Sequence, residues 1–245
     1  MRNKLWLSFC LCMLAVGLAA PLSAGVITVD SMSNIWGAGH ASAPGTSGGT
    51  LPPVISFEAG TLQVVIDSVT GSVDCDGARL DCAPAPADGN PNTFPLTGTN
   101  FSANGGLSGI KYIGRTMFLI GVFLDGAEPA GTAPATLDYS VTSPLALTVS
   151  PLLRQLFFIG DGLGTGGANQ HFMVPTGATR LFLGFADGVP TFGTNSAATT
   201  PSAYSDNTGS LTVNYTPMVH NPEPGSVLLA GLGIAALALL RRRRA

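Results

Sequence analysis

Glycine and proline interrupt this chain too often for long helices to run through its middle. Its 245 residues include 32 Gly and 18 Pro, and Ser, Thr and Asn are also abundant. Glycine weakens a helix interior, and proline removes a donor and clashes with the preceding turn. Between the two apolar ends there is no helical periodicity. Short apolar stretches recur there between turn signals, as sandwiches and jelly rolls require. The expected class is therefore all-β, a jelly-roll-like β-sandwich. Candidate strands are residues 54–57, 61–68, 116–124, 145–149, 156–159, 171–174, 180–185 and 210–215. Phe118-Leu119-Ile120-Gly121-Val122-Phe123-Leu124 is apolar throughout and reads as a central strand buried on both faces. Residues 37–53, 83–95 and 100–109 read as loops. The glycine-rich 160–167 reads as a mobile connection, since it lacks the Lys and Ser/Thr of a phosphate-binding loop.

The two ends obey different rules from the middle. Arg2 and Lys4 precede an apolar run over residues 5–20, and Leu22-Ser23-Ala24 is a small-residue cleavage site. Together they predict a secretory signal peptide over residues 1–24 and passage through a secretion translocon. Near the other end, Asn221-Pro222-Glu223-Pro224-Gly225 precedes a fifteen-residue apolar run, 226–240, which ends at Arg241, Arg242, Arg243 and Arg244. A stable spanning helix needs about 20 apolar residues, so this segment is short for permanent residence in a bilayer. The four arginines would hold their end in the cytoplasm and leave the preceding chain outside. Pro222 and Pro224 fix φ and remove two backbone donors, so the tripeptide is extended and accessible.

Tripeptide, short span and basic cluster, in that order, resemble the PEP-CTERM sorting signal of Gram-negative bacteria. The resemblance implies an exported precursor held transiently in the inner membrane. An exosortase-type membrane enzyme would process it, with the cell surface or extracellular matrix as destination. On this reading residues 221–245 are the sorting signal, residues 25–220 form the β-sandwich domain, and a short C-terminal hydrophobic helix flanks it.

Residues 25–221 carry thirteen Asp and Glu against five Lys and Arg, a formal charge near −8. That balance argues against nucleic acid and against anionic membrane surfaces. Cys10 and Cys12 leave with the signal peptide, so only Cys75 and Cys82 remain. In an oxidising compartment, across a Gly-, Pro- and Asp-rich loop, they are expected to form one disulfide. No nucleophile elbow, phosphate loop or His-Glu-x-x-His is present, so no enzyme is expected. Of the three histidines, His40, His171 and His220, the second opens a candidate strand and the third adjoins the sorting signal.

Oxygen-bearing residues cluster at candidate strand ends. Asp187 follows the strand at 180–185, and Ala203-Tyr204-Ser205-Asp206-Asn207 precedes the strand at 210–215. Calcium takes six to eight oxygen ligands of this kind, although Asp and Asn also dominate ordinary turns. The sequence His171-Phe172-Met173-Val174-Pro175 through Asp187-Gly188, followed by Tyr204-Ser205-Asp206-Asn207-Thr208-Gly209-Ser210-Leu211-Thr212-Val213, resembles the C-terminal half of the PA-IL-like calcium-dependent galactophilic lectins. The resemblance implies a galactose-binding-like fold and a calcium site. Asp187, Asp206 and Asn207 would ligate through side chains, and Ala203 and a residue near Val73 or Asp74 through carbonyls. The connection from Asp187 to Asp206 is longer here, with an insertion around 191–202. One family amide is replaced by Asp206. The family's sugar-holding His and Gln have no counterpart around Asp88-Gly89-Asn90-Pro91-Asn92, so galactose binding does not carry over.

The expected function is an exported surface or matrix binding module, stabilised by calcium and recognising extracellular polysaccharide. The alternative is a structural surface component with no small-molecule ligand.

Two outcomes follow from sequence alone. Mass spectrometry of the surface fraction should find mature protein lacking the 226–240 run and its arginines, and Glu223→Ala should leave precursor in the inner membrane. Intact C-terminal peptide in mature protein would defeat the processing reading. Denaturing alkylation of mature protein should label no cysteine. The closed loop should contribute about 2–3 kcal/mol, chiefly through the unfolded chain.

Overall fold

Strand β8 (Ile120–Leu124) is buried at every position, and the fold is arranged to cover both of its faces. Its residues alternate between two separate apolar clusters, as the two-residue period of a strand demands. Phe123 points with Leu119 into one cluster. Ile120, Val122 and Leu124 point into the other. Its neighbours behave alike. In β11 (Leu156–Phe158), Phe157 faces the first cluster and Leu156 and Phe158 the second. In β13 (Arg180–Gly184), Leu181 and Leu183 face the first and Phe182 the second. With β2 (Val54–Ser56) these make a four-stranded sheet in the order β11-β8-β13-β2.

The computed structural model describes residues 24–44, 49–58, 60–75, 84–91, 98–187 and 200–219. They belong to a unit running Ser23–Val219. Residues 1–23, the sorting signal at 221–245 with the short apolar helix expected in it, and Cys82 lie outside the described residues. Among the described residues there is no α-helix, and no helix long and apolar enough to cross a membrane.

A five-stranded sheet packs on the first cluster, in the order β1-β14-β3-β12-β10. Its strands are β1 (Gly25–Asp30), β3 (Thr61–Asp74), β10 (Thr148–Val149), β12 (His171–Met173) and β14 (Thr208–Val219). Val29, Val64, Ile66, Phe172, Leu211 and Val213 are its inward residues. The chain is thus an all-β sandwich, as expected. The central ladder is β14 against β3, antiparallel from Thr208↔Asp74 to Val219↔Thr61, with a bulge where Asn214 pairs Ser68 but Tyr215 pairs Ile66. The skipped residue, Asp67, accepts a 2.8 Å hydrogen bond from the Thr216 hydroxyl. Such a bulge turns the following side chains to the other face, so the pattern on β3 alternates imperfectly.

The second cluster is roofed by smaller pieces. These are β5 (Gly98–Phe101), β6 (Ile110–Ile113) and β9 (Leu137–Asp138) in one sheet, and β4 (Asn90–Pro91) with β7 (Arg115–Thr116) in another. Trp36 fills its centre, fully buried, 4.8 Å from the Phe101 ring and donating Nε1–H to the Ser108 carbonyl at 3.2 Å. Tyr139 leans on Phe158, and its hydroxyl accepts the Phe158 amide at 3.1 Å. Burial pushes that phenol up to about 12.

Several expectations shift. The strand expected over 116–124 breaks into β7 and β8, with Met117 at φ 54 between them. The one expected over 145–149 shrinks to β10, while β3 and β14 run longer at their ends. Residues 83–95 and 100–109 were expected as loops, yet β4 lies within the first and β5 ends inside the second. The glycine-rich 160–167 is not an open connection: the Asp161 amide bonds Asp88 Oδ1 at 2.9 Å. Cys75, just past β3, is disulfide-bonded, but Cys82 lies outside the described residues, so the Cys75–Cys82 pairing is kept as a proposal.

Phe123 tests the two-sided burial. It is fully buried, stacked on Phe157 at 5.3 Å and edge-on to Phe57 at 6.0 Å. Phe123→Ala should cost about 3–5 kcal/mol in urea unfolding, the range for losing a core aromatic. A loss under about 1 kcal/mol would mean the sheet is not packed as described.

Candidate functional site

Four strand ends meet at one end of the sandwich. The C-terminal ends of β1 and β3 flank the N-terminal end of β14, with Asp30 opposite Ser210 and Asp74 opposite Thr208. After β1 the chain leaves this sheet and crosses to the other. The Ser31 amide donates to the Gly209 carbonyl at 3.1 Å, and the Phe185 amide donates to the Ser33 carbonyl at 2.8 Å. The crossing presses on Gly184, where any Cβ would lie 2.6 Å from the Ser33 oxygen. Thus the end of β13, and Asp187 behind it, reach the same place.

Tyr204 ties the loop before β14 to this crossing. It is almost fully buried at the start of a 3-10 turn, Tyr204–Asp206. Its hydroxyl donates to the Phe185 carbonyl at 3.0 Å and accepts the Asp187 amide at 3.1 Å. Burial drives this phenol well above its usual range; the hydrogen bond from the Asp187 amide opposes that rise, and the nearby Asp187 carboxylate adds a smaller push upward. The Ser202 amide donates to the Asp187 carbonyl at 3.1 Å, closing the connection.

The expected site residues sit as follows. Asp187 is half-buried, with Oδ2 shielded from solvent. Ala203 has φ 66 and ψ 18, a left-handed conformation that costs a non-glycine residue roughly 1–2 kcal/mol. Asp206 is exposed. Asn207 is 5 % exposed, and its Nδ2 donates to the Ser31 carbonyl at 3.1 Å. Val73 and Asp74 end β3 at this same edge. The structure therefore brings Asp187, Ala203 and Asn207 together with the end of β3, and turns Asp206 outward.

Two buried oxygens here lack partners, Asn207 Oδ1 and Ser31 Oγ. Their residues are bonded to each other, Asn207 Nδ2 donating to the Ser31 carbonyl. By contrast Asn34, equally deep three residues further on, is satisfied: Oδ1 accepts the Trp36 amide and Nδ2 donates to the Pro44 carbonyl. A buried polar group without a partner costs about 1–3 kcal/mol, so a pair of them marks a place for an ion, a water or a ligand. Ser31 was not among the expected site residues. A Ser after a β-branched run reads as a turn residue, and nothing in its sequence neighbourhood says that the chain crosses between sheets there. Among the described residues no three of His, Cys, Asp and Glu gather as a metal cluster; the groups here are mostly amide, hydroxyl and carbonyl oxygens.

A second feature is a shallow depression lined by Gly37, Gly39, His40, Pro52, Arg180 and Phe182. Its polar groups are already engaged within the chain. His40 meets Glu128 at 2.8 Å and the Gly105 carbonyl at 2.9 Å. Arg180 lies 5.3 Å over the Phe182 ring and donates to the Asp125 and Ala127 carbonyls.

Comparison with known proteins adds two findings. A search of curated proteins finds no match. Among solved structures, the chain is similar to the N-terminal domain of EclA, described as a PllA-like lectin. The two are 15 % identical over 79 % of this chain and 95 % of that one, with a TM-score of 0.31, a likeness too slight to argue from. The family model for the PEP-CTERM protein-sorting motif matches residues 222–244, so the chain carries that motif where Pro222, Glu223, Pro224 and the arginines stand.

Proposed function

We propose that this protein is exported, sorted through its C-terminal motif by an exosortase-type enzyme, and acts outside the cell as a calcium-stabilised, non-enzymatic binding module. The motif at 222–244 supports the export and sorting half. One observation carries the rest: a half-buried carboxylate, Asp187, shares a sandwich end with two orphaned buried oxygens, on Asn207 and Ser31. Such a set suits a hard cation that prefers oxygen. Asp187, Asn207 and the Ala203 carbonyl would hold the ion, and Asp206 would approach from the exposed side. A bound cation would supply charge neutralisation and coordination positions open to solvent. Extracellular polysaccharide is the ligand class we propose for that open side, because vicinal hydroxyls are neutral oxygen donors that a cation accepts.

The alternative, a structural surface component without a ligand, differs in one measurable way. With the protein as purified from the surface fraction, the melting temperature should be higher in millimolar calcium than in chelator. Binding the folded state alone stabilises by about 2.7 kcal/mol at a hundredfold excess over Kd. Asp187→Ala and Asp206→Ala should each lose most of that gain. Magnesium should replace calcium poorly, because it demands a tighter octahedral shell. Glycan-array binding should disappear in chelator. Equal melting temperatures in calcium and chelator would leave the structural reading, with Asp187, Asp206 and Asn207 as turn residues.

A further inference from the structure

We infer that Ser31 is a further oxygen ligand of this cation site, and that the ion thereby clamps the first strand of the domain to the last. The inference rests on the calcium reading above. Ser31 is 1 % exposed, yet its hydroxyl has no hydrogen-bond partner. Its carbonyl takes Nδ2 of Asn207, whose own Oδ1 is orphaned. A hydroxyl buried at this depth, in a residue bonded to one that carries a second unpartnered oxygen, is costly unless something polar satisfies it. A calcium ion fits because it seeks more oxygens than Asp187, Ala203 and Asn207 provide, and Asp206 faces outward.

The consequence falls on β1. This strand forms one edge of the five-stranded sheet and, among the described residues, pairs only with β14. Of its six residues only Val29 is fully buried and Ile27 half-buried against the core, so these two side chains supply its apolar anchoring. Ser31 follows β1 directly, Asn207 precedes β14 directly, and the Ser31 amide also donates to the Gly209 carbonyl. An ion held by Ser31 and Asn207 together would pin the open end of this ladder. Calcium would then control how firmly the strand nearest the mature N-terminus stays docked.

Ser31→Ala tests this through the sign of its effect. Removing an unsatisfied buried hydroxyl should leave the melting temperature in chelator unchanged or higher. In calcium the same variant should melt below the wild type. By isothermal titration its calcium Kd should weaken on the order of tenfold, the scale for losing a supporting group at a metal site. Hydrogen exchange should show the backbone amides of β1 protected by calcium in the wild type and not in Ser31→Ala. Wild-type calcium binding with an unchanged Kd and unchanged β1 protection in the variant would overturn the role of Ser31 and leave the cation site intact. Equal destabilisation in calcium and chelator would also overturn it, marking the hydroxyl as part of a water-filled structural contact. No calcium binding by the wild type would remove both readings together.

Discussion

The structure depends on burying one sheet from both sides. Five consecutive residues of β8 have no solvent-facing direction, and their neighbours in β11 and β13 follow the same alternation. Each large apolar side chain fully withdrawn from water contributes about 1.5–3 kcal/mol, and this sheet supplies such side chains to both clusters. It also dictates close packing. Gly121 is seated where a Cβ would come within 2.7 Å of Phe157 and Ile159. The five-stranded sheet can pack on only one face, so the other must be roofed by short strands, by Trp36 and by the loops around them.

That arrangement forces the chain to cross between sheets at their ends, and the crossings create the candidate site. Segment 31–35 is hydrogen-bonded to both sheets: the Ser31 amide donates to the Gly209 carbonyl on one side, and the Phe185 amide donates to the Ser33 carbonyl on the other. Tyr204 is drawn into the same junction and bridges Phe185 and Asp187. Backbone groups are well paired there, while side-chain oxygens on Ser31 and Asn207 are not. Together with left-handed Ala203, they make this end one of the places where the fold departs from local optimality, as Thr116 and left-handed Met117 do between β7 and β8. Departures of this kind gather where a ligand or ion compensates them.

Some elements were readable in advance because their signal is strong and local. The apolar run at 118–124 reads as a doubly covered strand, and its part 120–124 is one. The runs at 180–185 and 210–215 lie between turn residues and match β13 and the middle of β14. Other elements were not readable. Strand β1 is as β-branched as any, but it adjoins the expected cleavage site and went unassigned. Strand β5 contains Gly98, Thr99 and Asn100, which read as turn, and it holds only because β6 pairs with it. At 145–149 only Thr148 and Val149 form a strand, beside parallel β12, and the apolar residues Leu145 and Leu147 stay exposed.

The sequence by itself determined the class of the domain and the sorting motif at its C-terminal end. Turn-residue density excludes long helices, and the order of Pro-Glu-Pro, short apolar run and arginines makes a sorting motif whatever the domain does, because each acts through neighbouring residues alone. It also nominated Asp187, Ala203, Asp206 and Asn207, by spacing and by resemblance. Only the tertiary structure decided which of them share a place. Asn207 is buried against Ser31 and Asp206 is exposed, although they are adjacent in sequence, because the 3-10 turn at Tyr204–Asp206 ends between them. Ser31 joins the group across the whole length of the domain, through an antiparallel pairing of first and last strands that no local pattern encodes.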